Sequence, residues 1–178
     1  MKALIPFSIP VSGLRDGLHQ YDFTVDKAFL AAFPDTPVEE GDLRVHLDFH
    51  KRPAMFVLEF TVEGTVRAAC DRCLENINLP VSGEHRIVVK FSEEERADEA
   101  EVVYVAPTLE ELDVSPYVYE FVVLSLPLVK VYECEDDENA PCNEEMLSYL
   151  EKSEDTDPGE ETPNPIWDEL KKKLNQHK

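Results

Sequence analysis

The sequence predicts an α+β fold: an antiparallel meander sheet, open or barrel-like, with a few short helices and an acidic linker to a C-terminal helix. Three observations predict it. Apolar and polar residues alternate with a period of two through most of the chain between Leu43 and Val105. Turn residues separate the alternating runs, and helical spacing is confined to three short segments. With 178 residues, of which 43% are hydrophobic, the chain can build a core without covalent help.

The alternating runs define the predicted strands. A run from Leu43 and a run from Phe56 flank a turn at Lys51-Arg52-Pro53, which predicts an antiparallel hairpin. Glu63-Gly64 is interpreted as the next turn and Ser82-Gly83 as a later one, which gives roughly six or seven strands in meander order.

Helix signals occur at three places. Asp26 is predicted to cap a short helix that runs through Phe33. Ser115-Pro116 supplies a cap followed by a proline for a second helix, which Pro127 ends. A third helix follows Asn164-Pro165, where apolar residues recur at helical spacing and lysines lie near the C-terminal end of the helix dipole.

Charge divides the chain into parts. Thirty-eight acidic residues against seventeen basic ones give a formal charge of −21, which disfavours direct high-affinity binding to nucleic-acid phosphates. Thirteen of the acidic residues lie between Glu133 and Glu161, with Lys152 as the one basic residue there. We therefore predict a β-rich domain with a packed helix over residues 1–132, an acidic, partly disordered linker over 133–163, and an amphipathic helix over 164–178.

The apolar segments are short. The N-terminus has no sustained apolar run before Ser8, and no later segment approaches the length that crosses a bilayer. A soluble, cytoplasmic protein without a membrane partner is expected. In that reducing compartment, cysteines are expected as free thiols or metal ligands.

Four cysteines are the main candidates for chemistry. Cys70 ends an alternating run and is predicted to face the core, and its two-residue spacing from Cys73 lets one turn present both sulfurs to a tetrahedral ion. Cys134 and Cys142 offer a second pair, so four soft ligands suggest zinc, although seven residues separate that pair. The alternative interpretation is an inert, half-buried thiol pair. No other cofactor is predicted.

Catalytic motifs do not occur at the usual spacings. The chain lacks a glycine-rich phosphate loop, a Gly-x-Ser-x-Gly run and a His-Glu-x-x-His run, so an enzyme is not expected. Thioredoxin-like chemistry is disfavoured because Cys70 ends a strand instead of beginning a helix. His46 and His50 flank Asp48 on a predicted solvent face, where alternating polar residues need no catalytic explanation.

Three sequence blocks occur in a fixed order along the chain. The first is Cys70-Asp71-Arg72-Cys73-Leu74, the second runs from Leu112 to the Leu-Ser-Leu-Pro at Pro127, and the third runs from Asn164 to Lys171. Together they make the chain resemble the YceD family of large ribosomal RNA subunit accumulation proteins over nearly its whole length. Some relatives carry a denser cysteine cluster after the Leu-Pro block, which this chain lacks.

The resemblance implies a noncatalytic factor in large ribosomal subunit biogenesis that supports 23S rRNA accumulation. Expected partners are the large-subunit precursor or its basic proteins, because an acidic chain attracts basic surfaces; direct contact with rRNA is left open. Trp167 and Leu170 on the terminal helix and Arg72 in the cysteine motif are the predicted contact residues, with docking of that helix on its own domain as the other interpretation. The alternative function is a metal- or thiol-dependent enzyme centred on Cys70 and Cys73.

Overall fold

The computed structural model describes residues 7–34, 36–38, 40–94, 97, 101–132 and 140–154. These residues form seven strands and three helices, with the following bounds: β1 Ser8–Pro10, β2 Gly17–Val25, α1 Lys27–Leu30, β3 Glu40–Arg52, β4 Met55–Ala69, β5 Asn76–Phe91, β6 Val102–Val105, β7 Glu111–Asp113, α2 Ser115–Leu124 and α3 Glu144–Glu154.

A five-stranded sheet in the order β2-β3-β4-β5-β6 carries the fold, and β1 pairs with β7 in a separate two-stranded sheet. Neighbours from β2 to β5 are antiparallel, which confirms the predicted α+β class; across the described residues the larger sheet is open and not a closed barrel. The strands follow the meander order to the last one, but the antiparallel pattern ends there, because β6 runs parallel to β5. A parallel neighbour requires the chain to cross back between the two strands, which a hairpin turn cannot do.

Two predicted turns are wrong. Gly64 and Gly83 lie inside the continuous strands β4 and β5, where Gly64 pairs with Leu43 and Gly83 pairs with Val62. The alternation keeps its parity across both glycines, so the same face stays buried on either side of each one. Gly64 has a φ of 151°, a conformation that side-chain-bearing residues rarely adopt.

The core fills the space between the inner sheet face and the elements packed on it. Helix α1 packs on β2 and β3, and α2 packs on β4 and β5. Phe60 of β4 contacts Phe121 of α2 with ring centroids 5.0 Å apart, and Phe33 stacks on Tyr119 at 4.1 Å. These aromatic pairs join the sheet, the segment after α1 and helix α2 into one core.

The first two helices form where they were predicted. Asp26 accepts a hydrogen bond from the Phe29 N–H at 2.9 Å, as a helix cap should. Ser115, however, is the first residue of α2 and not its cap; Val114 is the capping residue, and the Asp113 carboxylate accepts the Ser115 N–H at 2.9 Å. Because the Asp113 carboxylate already pairs with this amide at the start of the helix, the helix does not need the serine hydroxyl there.

Helix α3 lies within the stretch that was predicted as an acidic linker. Met146 and Leu147 on this helix pack against the core. The division of the chain into a domain, a linker and a terminal helix stays a prediction, and the terminal helix lies outside the described residues. Within the described residues, no helix is both long enough and apolar enough to span a membrane.

Candidate functional site

The site is built on residues 70–75, here called the cysteine turn, which join β4 to β5. The Cys70 N–H donates to the Glu75 carbonyl at 2.8 Å, and the Leu74 N–H donates to the Cys70 carbonyl at 2.9 Å. Leu74 has a φ of 62°, in the left-handed region that residues other than glycine seldom occupy. This backbone turns both cysteine side chains inward, where Cys70 is 1% exposed and Cys73 is fully buried.

Backbone amides surround the Cys70 sulfur. Burial opposes its ionisation, but the N–H groups of Cys73, Tyr132 and Arg72 all donate to the sulfur, and their sum holds the pKa of Cys70 below its usual value. Both cysteines of the turn are free thiols. The turn therefore stabilises negative charge on a sulfur that bulk water does not reach.

A second segment, residues 125–132, lies on the cysteine turn and is called the post-helix segment. The Asp71 N–H donates to the Lys130 carbonyl at 2.7 Å, and the Lys130 N–H donates to the Asp71 carboxylate at 2.7 Å. The Lys130 ammonium lies 3.3 Å from the same carboxylate. The Lys130 backbone N–H, together with this ammonium, lowers the pKa of Asp71, so the carboxylate stays ionised and holds the two segments together.

The other end of the post-helix segment is fixed to the sheet. The Ser125 hydroxyl donates to the Phe121 carbonyl at 2.7 Å and accepts from His85 Nε2 at 2.8 Å. The His85 ring stacks on Phe121 with centroids 4.6 Å apart, and burial lowers the pKa of His85, so its neutral form is favoured. A Cβ at Gly83 would collide with the Ser125 hydroxyl, so a larger residue there would force the serine side chain to move.

The structure brings together some of the predicted site residues. Cys70 and Cys73 share one turn with Arg72, whose side chain is exposed. Cys142 is half-buried and disulfide-bonded, to neither Cys70 nor Cys73, which are both free. The remaining predicted site residues, Cys134, Trp167 and Leu170, lie outside the described residues. In the part of the chain that the structure describes, no three metal-ligating side chains gather at one point, so the four-cysteine zinc site stays a prediction.

The basic residues near the motif do not form one patch. Arg52 lies at the β3–β4 hairpin, whereas Arg67 lies near the other end of β4, where it pairs with Glu40. Arg86 lies 3.7 Å from Glu59. The cations of this sheet are therefore dispersed and partly neutralised by neighbouring carboxylates.

The histidines of the outer sheet face form ordinary surface ion pairs. His46 Nδ1–H donates to the Asp22 carboxylate at 2.8 Å, and its Nε2 lies 3.4 Å from Asp48. The bond to Asp22 raises the pKa of His46. The Gln20 amide donates to Asp48 at 2.8 Å and is the main cause of the lowered pKa of that carboxyl.

Replacing Asp22 by asparagine is expected to lower the pKa of His46 toward the value of an isolated histidine. The stability that a raised pKa gives is fully present below the unfolded pKa and is lost as the pH rises through the folded value, so D22N should weaken the fold only slightly and only in acid. An NMR titration of the His46 ring measures the shift. Asp42→Asn, on the same strand and away from His46, is the control and should leave the titration curve in place.

Sequence reasoning missed the post-helix segment as part of the site. The stretch from Leu128 to Val131 follows neither a strand nor a helix period, because Lys130 interrupts it. Three apolar residues around a single lysine, directly after Pro127, were the signal in the sequence.

A comparison of the chain with models of known protein families found a match. A family model described as "Large ribosomal RNA subunit accumulation protein YceD" matches residues 58–173, which include the cysteine turn, α2 and the post-helix segment. No curated protein and no solved structure matches the chain.

Proposed function

This chain belongs to the YceD family of large ribosomal RNA subunit accumulation proteins, and on that premise we propose that it is a noncatalytic factor in large ribosomal subunit biogenesis. It supports 23S rRNA accumulation in the cytoplasm by contacting proteins or the pre-ribosome. The observation that carries the proposal is the match to the family over residues 58–173, well over half of the chain.

The chemistry of the cysteine turn supports a structural role over a catalytic one. Cys73 is fully buried, and the Cys70 sulfur is enclosed by three backbone amides and the neighbouring thiol. A nucleophile must reach the substrate atom that it attacks, and a cysteine that is 1% exposed cannot do so without opening of the turn. Bonds to Lys130 and Glu75 hold the turn closed.

Net charge supports proteins over RNA as the direct partners. A formal charge of −21 repels phosphates and attracts basic ribosomal proteins, which speeds association with them. Within this proposal, Arg72 contributes an exposed cation beside the cysteine turn, and Trp167 and Leu170 contribute apolar contact area.

Depletion of the protein in cells tests the proposal. We expect the ratio of large- to small-subunit rRNA to fall and the tagged protein to co-sediment with large-subunit precursors. Expression of the wild-type chain in the depleted cells should restore the ratio, which controls for indirect effects. An unchanged ratio together with no precursor in the protein's fractions would contradict the proposal.

A structural zinc ion bound by Cys70 and Cys73 is a second proposal. Both cysteine side chains turn inward from one short turn, and Leu74, which follows the second cysteine, has a left-handed backbone conformation. Backbone amides point at the Cys70 sulfur. These features suit a metal ion that is held by two thiolates. Cys134 and Cys142 are the sequence candidates for the other two ligands. Cys142 would first have to leave its disulfide bond.

Metal content tests the zinc proposal. Protein purified without a metal-affinity step is expected to hold about one zinc ion per chain, and this ion should be lost in the Cys70→Ser and Cys73→Ser variants. Ser82→Ala, on an exposed position of β5, is the control and should keep the metal. The proposal would be ruled out if the wild-type protein held no metal and both thiols of the turn reacted with a thiol reagent after unfolding.

A further inference from the structure

Five large apolar side chains are exposed on the cysteine turn and along the chain from the end of α2. This apolar patch consists of Leu74, Leu124, Leu128, Val129 and Val131, which are 64%, 62%, 101%, 66% and 37% exposed. Four of them come from one stretch of eight residues, and Leu74 lies three residues from Asp71, which is bonded to Lys130. Grouped apolar side chains on a surface mark a place where another chain segment binds.

The patch is held in place at several points. Lys130, between Val129 and Val131, accepts a hydrogen bond from the Asp71 N–H at its carbonyl and donates its own N–H to the Asp71 carboxylate, both at 2.7 Å. The Tyr132 N–H donates to the Cys70 sulfur at one end of the segment, and Ser125 is bonded to His85 at the other end. A fixed surface binds with little further loss of conformational entropy.

The chain outside its C-terminal segment is strongly negative. Residues 1–163 carry thirty-six acidic residues and thirteen basic ones. A segment that binds on the patch should combine apolar anchors with positive charge.

This chain contains one such segment at its C-terminus. Residues 164–178 carry four lysines against two acidic residues, in a chain with a net charge of −21. Ile166, Trp167, Leu170 and Leu174 recur there at helical spacing. The segment is thus complementary to the patch in apolar character and to the rest of the chain in charge.

The stretch of chain that joins α3 to the C-terminal segment also favours a contact within the chain. The described chain ends at Glu154, and the nine residues from 155 to 163 can span up to about 30 Å. A covalent tether that spans the distance to the patch gives an effective concentration on the order of millimolar, which favours docking within the chain over capture of a second molecule. The matched family region, residues 58–173, contains both the patch and most of the segment.

We propose that residues 164–178 dock on the apolar patch of their own chain, with Trp167 as the central anchor. This contact does not depend on the proposed role in ribosome biogenesis, and Trp167 would have to leave it before it contacts a partner as proposed above. It can be tested on purified protein without ribosomes.

The single tryptophan of the chain makes the test direct. In the full-length protein, Trp167 fluorescence is expected to be blue-shifted and protected from acrylamide quenching. Leu128→Asp places a charge in the patch at a fully exposed position, so the fold survives while docking is lost. The equilibrium constant for docking should fall by about tenfold or more, with a red shift and faster quenching.

A matched control comes from the other edge of the sheet. Leu18 of β2 is 51% exposed, and Leu18→Asp should leave the emission unchanged. Circular dichroism of both variants verifies that each is folded. Solvent-like emission in the wild type, or protection that Leu128→Asp leaves intact, would overturn the proposal. Protection that disappears on dilution would assign the patch to a second copy of the chain, which also overturns it.

Discussion

Replacing Phe60 by alanine is expected to lower the free energy of unfolding by about 3 to 5 kcal/mol. Phe60 is 1% exposed, and its ring packs against Phe121 of α2 at a centroid distance of 5.0 Å. The substitution removes buried apolar area and leaves a cavity at the contact between the sheet and the helix. Urea denaturation followed by circular dichroism measures the change in the midpoint.

The same substitution should also loosen the candidate site. Phe121 accepts the Ser125 hydroxyl and stacks on His85, so a displaced α2 disturbs the start of the post-helix segment. Thr61→Ala, at the next position and on the opposite sheet face, is the control and should change stability by no more than about 0.5 kcal/mol. A loss below about 1 kcal/mol for Phe60→Ala would mean that α2 does not pack on β4 as described.

Replacing Gly64 by alanine is expected to cost about 2 to 4 kcal/mol of stability. The residue has a φ of 151°, and a Cβ there would collide with the Asp42 carbonyl oxygen and lie 2.6 Å from the Leu43 Cα. Both neighbours belong to the β3 backbone, which cannot move aside without breaking its pairing with β4. The loss appears as a lower denaturation midpoint.

Gly13→Ala provides the matched comparison for the Gly64 variant. No atom lies within 4 Å of a Cβ built at Gly13, so alanine should be neutral there or stabilising by up to about 1 kcal/mol. Equal effects of the two substitutions would contradict the close approach of β4 to β3 at Gly64.

Alternation predicted the centre of the fold because one face of each long strand is buried. Leu43, Leu47 and Phe60 lie inward as expected. Strand β2 was missed because Leu18 at its start is exposed and only Phe23 and Val25 near its end are buried, which leaves too short a periodic run. Strands β1 and β7 have three residues each, too few to show any period.

Glycine was a misleading turn signal in β4 and β5. A glycine inside a strand also allows close approach of a neighbouring backbone or side chain, as at Gly64 and Gly83, and only the unbroken parity on both sides separates the two cases. The direction of β6 depends on how the chain crosses after β5, which no local pattern encodes.

The local part of the candidate site could be predicted from the sequence, whereas its long-range contacts could not. The spacing of Cys70 and Cys73 and the inward position of Cys70 follow from the local sequence. The bonds from Asp71 to Lys130 join residues that are 59 positions apart, and such pairing depends on how α2 packs across the sheet. The apolar patch and the enclosure of the Cys70 sulfur by amides both depend on that packing.

The role in large-subunit biogenesis is tested most directly by cross-linking the full-length protein to its neighbours in growing cells and identifying both the RNA and the proteins captured. We predict enrichment of large-subunit proteins and precursor rRNA over small-subunit components, with proteins as the main direct contacts because the chain carries a charge of −21. Capture that shows no preference for large-subunit components would contradict that role.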